Sequence, residues 1–165
     1  MTLIYFIQID NWKILLQGIT RQRVDACIQA DNFYSNLSKG IDEEAHQRGL
    51  QFYKEMAQYV RNERNRIGGD WAVAQAVPTR ALRDEIKKIL PDVTFVTLTL
   101  KEDVLRKRLE ARHGDQKGIA DHFVAFMKHY EPAEEDEAQA FNVDLTATMT
   151  PNDVVEMVLQ KLKNQ

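Results

Sequence analysis

The sequence predicts an α/β fold, a three-layer sandwich built on a mostly parallel sheet of about five strands. Three observations predict it. Strand and helix signals alternate along the chain instead of falling in separate blocks. The segment VTFVTLTL at residues 93–100 is dominated by β-branched and aromatic residues, the composition of a buried strand. The chain has 165 residues, 44% of them hydrophobic, and no repeat, low-complexity tract or long linker. A chain of that length buries roughly two-thirds of its unfolded surface, so its core needs neither disulfide nor metal staples.

Taken in order, Leu3-Ile4-Tyr5-Phe6-Ile7 is a β-prone apolar run bounded by Asp10-Asn11, and residues 24–30 form a second short strand ending at Asp31-Asn32. Residues 42–66 are polar and helix-prone, with Leu50, Tyr53, Met56, Ala57 and Val60 at spacings of three or four, and stop at Gly68-Gly69. Residues 71–77 (WAVAQAV) read as a buried strand. Pro78-Thr79 then opens a helix over 80–90, which Thr79 or its predecessor caps and Pro91 terminates. After the strand at 93–100, a helix over 102–113 begins acidic and ends basic, as its dipole favours. A weaker helix over 119–130, an acidic turn over 131–137, a strand over 141–145 and a terminal helix over 151–163 complete the chain. Parallel strands joined by helices form a sheet covered on both faces.

Composition narrows the function classes. The 22 Lys+Arg against 25 Asp+Glu leave a formal charge of −3, which argues against a dedicated nucleic-acid binder. The apolar stretch from Leu3 to Ile9 is too short to span a bilayer, so no membrane partner is expected. The lone Cys27 cannot form an internal bridge and suits a reducing compartment, so the expected location is cytoplasmic.

Ligands of open α/β sheets collect beyond the carboxyl ends of the strands. That rule selects Asp31 after the second strand, Thr79 and Arg80 after the third, and Lys101 after the fourth. Arg83 follows Arg80 by three residues, on the same helical face. Two guanidiniums near a helix N-terminus suit a phosphate or carboxylate, because the planar fork and the backbone N–H groups both favour an anion. The plainer reading pairs Arg83 with a neighbouring carboxylate on a solvated face. Arg108 and Arg112, one turn apart before His113-Gly114-Asp115, either reach over a polyphosphate or serve as partners of the helix dipole. The spacing of His113, His122 and His129 does not suit a zinc site, and no metal ligands are assigned. No nucleophile motif is present, Cys27 suits inert packing, and the run Glu134-Glu135-Asp136-Glu137 is most simply a solvated loop.

Taken together, these segments resemble the small-metabolite kinases of the P-loop superfamily, nearest the gluconokinases and shikimate kinases. The resemblance covers residues 27–163. Asp31 followed by Asn36-Leu37-Ser38-Lys39-Gly40 looks like the substrate-side segment. WAVAQAVPTRALRD at 71–84 looks like the strand and basic helix that line the pocket, and VTFVTLTLKEDVLRKRLEAR at 93–112 like the strand and R-x-x-x-R helix leading to the lid. Asp121-His122-Phe123 through Glu131-Pro132, then Phe141-Asn142-Val143-Asp144, continue the correspondence. The resemblance implies one nucleoside-monophosphate-kinase-like α/β domain over 1–165, with a lid-like segment at about 113–130. It implies magnesium-assisted phosphoryl transfer from ATP to a small hydroxylated, anionic metabolite. Asp31 would orient or deprotonate the acceptor hydroxyl, Arg80 and Arg83 would hold the substrate's anionic part, and Arg108 and Arg112 would embrace the transferring phosphate. Thr79 and His113-Gly114-Asp115 depart from the family's usual residues.

The larger departure lies near the start. The family's interval from Asp31 places the phosphate-binding loop at about residues 6–13, which read FIQIDNWK. A G-x-x-x-x-G-K-[ST] loop needs glycines so that backbone N–H groups can turn inward, a lysine for the phosphate oxygens and a hydroxyl for magnesium. Here there is no glycine, and Ile14 follows Lys13. Of the seven glycines only Gly18 lies in the first 39 residues, and Ile19-Thr20 follows it. Asp10 would add negative charge where the nucleotide's own must sit. Three readings follow: a kinase-fold protein with weak or lost turnover, a pseudoenzyme that binds or regulates through the acceptor-side pocket, and an enzyme that holds nucleotide through Lys13, Arg108 and Arg112. An altered first strand in a central position also leaves room for exchange with a second copy, as a homodimer.

Overall fold

The structure is a computed structural model that describes residues 2–6, 26–29, 43–69, 71–113 and 118–163. Within them the elements run β1 (Thr2–Phe6), β2 (Ala26–Gln29), α1 (Glu43–Ile67), β3 (Trp71–Ala74), α2 (Arg80–Ile89), β4 (Val93–Leu100), α3 (Glu102–His113), α4 (Ile119–Met127), β5 (Ala140–Leu145) and α5 (Pro151–Lys163). The expected α/β alternation holds. The described strands form one sheet in the order β2-β3-β1-β4-β5, every neighbouring pair parallel. Ile4 stands in register between Val73 of β3 and Phe95 of β4, so β1 is flanked on both sides.

Alternation along the strands sends side chains into two separate cores. On one face Val73, Val93 and Phe95 pack under α1 and α2 with Tyr53, Met56, Ala57, Val60 and Ile86. On the other, Ala72, Val96, Leu98, Val143 and Leu145 pack against Val154, Val155, Val158 and Leu162 of α5. β4 serves both cores, which is why its first six residues are all buried. The α1 positions expected at three- and four-residue spacing include Tyr53, Met56, Ala57 and Val60 of this core, joined by Phe52. A third, smaller cluster of Leu105, Leu109 and Val124 joins α3 to α4.

Element ends follow local chemistry. α1 stops where Gly68 takes φ of +80° and its N–H bonds the Arg64 carbonyl at 2.7 Å, a left-handed cap natural to glycine. Thr79 caps α2, its hydroxyl accepting from the Leu82 N–H at 3.3 Å. Two expectations are corrected. β3 ends at Ala74 and not at residue 77, because the Ala76 carbonyl accepts from the Tyr53 hydroxyl at 2.6 Å and the Pro78 carbonyl from the Glu131 N–H at 2.7 Å, which draws this backbone out of the ladder. α4 ends at Met127 and not at residue 130, where tighter bonds from Lys128 N to Ala125 O and from Tyr130 N to Met127 O close the helix. Among the described residues no helix is long and apolar enough to cross a membrane.

Candidate functional site

The sheet order locates a crevice. From β1 the chain crosses toward β2 and β3, and from β3 it crosses back over β1 to β4 and β5, so the winding reverses around β1. Ligand crevices of parallel sheets open beyond the carboxyl ends of the strands at such a reversal. The described rim consists of residues 75–79 after β3, Lys101 after β4 and the segment from Thr146 after β5. At the carboxyl end of β4 a cavity of about 190 Å³ is lined by Leu100, Glu102, Leu105, Val124, Met127 and Lys128, between α3 and α4.

Arg80 and Arg83 do face one anionic partner, and that partner is the protein's own acidic turn. The first N–H of α2, that of Arg80, donates to the Glu131 carboxylate at 2.7 Å, so a carboxylate already sits at this helix N-terminus. The Arg80 guanidinium grips Asp136 with two bonds, at 2.9 and 3.1 Å, and also bonds Glu134. These contacts raise the pKa of Arg80, Asp136 contributing first and Glu134 second, and Arg80 in turn holds the Asp136 carboxyl below its usual range.

Arg83 is fully buried. Its Nε and Nη2 each donate to the Glu137 carboxylate at 2.7 Å, while Nη1 reaches the Glu131 carbonyl at 2.9 Å and Nη2 the Pro132 carbonyl at 3.4 Å. Lys87 adds a weaker contact to Glu137 at 3.4 Å and lies over the Phe95 ring. Burial pushes the Glu137 carboxyl up, but the Arg83 hydrogen bonds and the charges of Arg83 and Lys87 outweigh it and leave it below the ordinary value. With four hydrogen bonds made inside the protein, Arg83 meets an outside anion only by releasing Glu137.

Glu137 therefore corrects the reading of residues 134–137 as a solvated loop. Glu134, Glu135 and Asp136 are exposed, but Glu137 is 4% exposed because the turn folds its last carboxylate back onto α2. Asn142 fixes the same turn from β5: its amide donates to the Ala133 carbonyl at 2.7 Å and its oxygen accepts from the Ala133 N–H at 2.8 Å. The sequence reading assigned neither Glu137 nor Asn142 a role at the site. Three cationic side chains at one helical spacing, Arg80, Arg83 and Lys87, were a signal that a carboxylate partner existed, but not where.

Arg108 donates from Nη2 to the Thr146 carbonyl at 2.7 Å, joining α3 to the segment after β5 on the crevice rim. Arg106, which the sequence reading passed over, bonds Glu102 at 2.9 Å and Asp121 at 2.6 Å and so ties α3 to α4. Arg112 lies in α3 one turn after Arg108, and its side chain is outside the described residues; Lys13 and Asp31 are outside them altogether. Among the described residues no group of three His, Cys, Asp or Glu side chains converges to hold a metal ion.

No protein-family model matches the chain, and no curated protein matches it in sequence. Solved structures do match in shape. A sugar kinase from a Janibacter species, crystallised without ligand, superposes with a TM-score of 0.72 at 17% identity, covering 98% of this chain and 93% of its own. A gluconokinase from Sinorhizobium meliloti gives 0.71 at 15%, covering 99% and 91%. The APS kinase of Mycobacterium tuberculosis, solved with AMPPNP and APS, gives 0.60 at 11%, covering 98% and 97%. Identities this low establish an α/β fold shared with these three kinases and leave function to the site.

Proposed function

We propose that the chain is a gluconokinase-like phosphotransferase-fold protein whose crevice takes a small hydroxylated metabolite and whose ATP-dependent turnover is weak or lost. The observation that carries this reading is the residue chemistry following the central strand β1. Residues 7–13 contain no glycine and no hydroxyl after Lys13, whereas a phosphate cradle depends on inward-turned backbone N–H groups, and magnesium on an oxygen donor beside them. These residue types do not fit a magnesium nucleotide. Asp31, Arg80, Arg108 and Arg112 remain the assigned acceptor-side and lid residues, with the segment at about residues 113–130 as the lid. Lys13, Arg108 and Arg112 are the cations left for a nucleotide.

A second reading, a non-catalytic binding or regulatory protein, is favoured by one observation: Arg83, the more deeply placed of the two acceptor-side arginines, is already engaged by the Glu137 carboxylate and by the Glu131 and Pro132 carbonyls. Thermal unfolding with and without millimolar MgATP tests the first reading. A ligand at 100 times its Kd stabilises by about 2.7 kcal/mol, so an unchanged Tm excludes ATP as a working ligand. An ADP-release screen over sugar acids, nucleosides and shikimate-like acids then separates residual turnover from none. Release above background with one acceptor supports the enzyme, and binding of an acceptor without release supports the second reading.

A further inference from the structure

A second cavity lies at the opposite end of the sheet from the crevice. It measures about 360 Å³ and is lined by Arg61, Arg64 and Asn65 of α1, Lys88 and Ile89 of α2, and the connection Leu90-Pro91-Asp92. α1 leads into the start of β3 and α2 into the start of β4, so this cavity sits at the amino ends of those strands. The eight residues of β4 separate it from the crevice by about 26 Å. Its volume falls within the range of small-molecule sites, about 300–1,000 Å³.

The lining is cationic in a chain of net charge −3: three basic side chains against one carboxylate. Asp92 engages Arg64 at 2.5 Å, and Lys88 pairs with Glu85. Arg61 has no carboxylate within ion-pair distance among the described residues. The helix dipole does not explain it either: the last turn of α1 is served by Arg64 and Arg66, and Arg61 stands a turn earlier. Asn65, one helical turn beyond Arg61, adds an amide donor on the same side of α1. The buried Leu90, with Ile89 and Pro91, supplies an apolar floor. A planar guanidinium fork, an amide and a second guanidinium over an apolar floor match the oxygens of a compact polyanion.

We propose that this cavity is a binding site for a small multivalent anion, a polyphosphate or a polycarboxylate, separate from the crevice. Arg61 and Asn65 contact the anion first, and Arg64 and Lys88 are shared between it and their carboxylate partners. The site stands on its own lining and does not depend on the kinase reading.

Isothermal titration of the full chain with tripolyphosphate and with citrate, at fixed ionic strength and without magnesium, tests it. Saturable binding of at least one probe is expected, weakened about tenfold by Arg61→Ala. Tighter binding of tripolyphosphate identifies phosphate as the recognised group, and tighter binding of citrate identifies carboxylate. Amide chemical-shift changes in the wild-type protein should centre on residues 61–65 and 88–92, a readout independent of any variant's folding. Absence of saturable binding by both probes, binding undiminished by Arg61→Ala, or shift changes centred away from residues 61–65 and 88–92 overturns the site.

Discussion

Arg83 and Glu137, 54 residues apart, form a doubly hydrogen-bonded ion pair with side chains 0% and 1% exposed. The pair pins the turn before β5 to α2, beneath the Arg80 contacts to Glu134 and Asp136. Breaking a buried pair on one side strands the other charge away from water, at a cost of about 3–5 kcal/mol. Arg83→Ala and Glu137→Ala should each destabilise by that amount in urea unfolding. The apolar double variant Arg83→Met/Glu137→Leu should recover most of the loss, because neither member of the fully buried pair is left charged and Lys87, with a side chain 20% exposed, still reaches water. Additive losses in the double variant would show that the pair is not a unit.

The same pair makes stability depend on acid. Burial raises the Glu137 pKa, and the hydrogen bonds and charges of Arg83 and Lys87 lower it further than burial raises it, so the folded value lies below the unfolded one. Such a group contributes fully above the ordinary glutamate value, about 4.3, and its contribution disappears as pH falls through the lower folded value. Asp92 and Asp136 shift in the same direction, beside Arg64 and Arg80. Unfolding free energy should therefore fall below about pH 4.3. The fall should be shallower in Glu137→Gln than in the wild type; parallel profiles would remove Glu137 as a source of the dependence.

Asn142 latches the acidic turn through two bonds to Ala133. Asn142→Ala leaves the Ala133 N–H and carbonyl without these partners, at about 1–3 kcal/mol for each group that stays dry. Limited proteolysis should then cut sooner within residues 131–137, while cleavage near α5 is unaffected. Equal rates in variant and wild type would show that the arginine contacts alone hold the turn.

Gly68 ends α1 at φ of +80°, and a Cβ added there would meet nothing within 4 Å. The cost of Gly68→Ala is thus conformational, about 1–2 kcal/mol, and Gly68→Asn should cost less because asparagine tolerates the left-handed region. Urea midpoints of the three proteins give the order Gly68, Asn, Ala. An alanine variant as stable as wild type would contradict the cap geometry.

Much of the architecture is readable from periodicity, because burial repeats at the period of each element. The spans 93–100, 102–113 and 151–163 coincide with β4, α3 and α5. Thr79 and Gly68 mark helix ends through local chemistry that short-range sequence carries. Boundaries failed where partners come from elsewhere in the chain. Nothing near residues 75–77 indicates that the Tyr53 hydroxyl will take the Ala76 carbonyl, and β3 stops early for that reason.

At the candidate site the sequence by itself determined that Arg80 and Arg83 share a helix face and that an anion belongs in front of them. Only the tertiary structure decided which anion. The sheet brings the turn before β5 beside α2, so Glu131, Glu134, Asp136 and Glu137 arrive where the sequence left open either an outside anion or a neighbouring carboxylate. Charge type and spacing report what a residue can bind, whereas pairing across 54 positions depends on which strands lie side by side. Local propensity carries no information about that order, because parallel neighbours are joined by crossovers that leave no short-range mark.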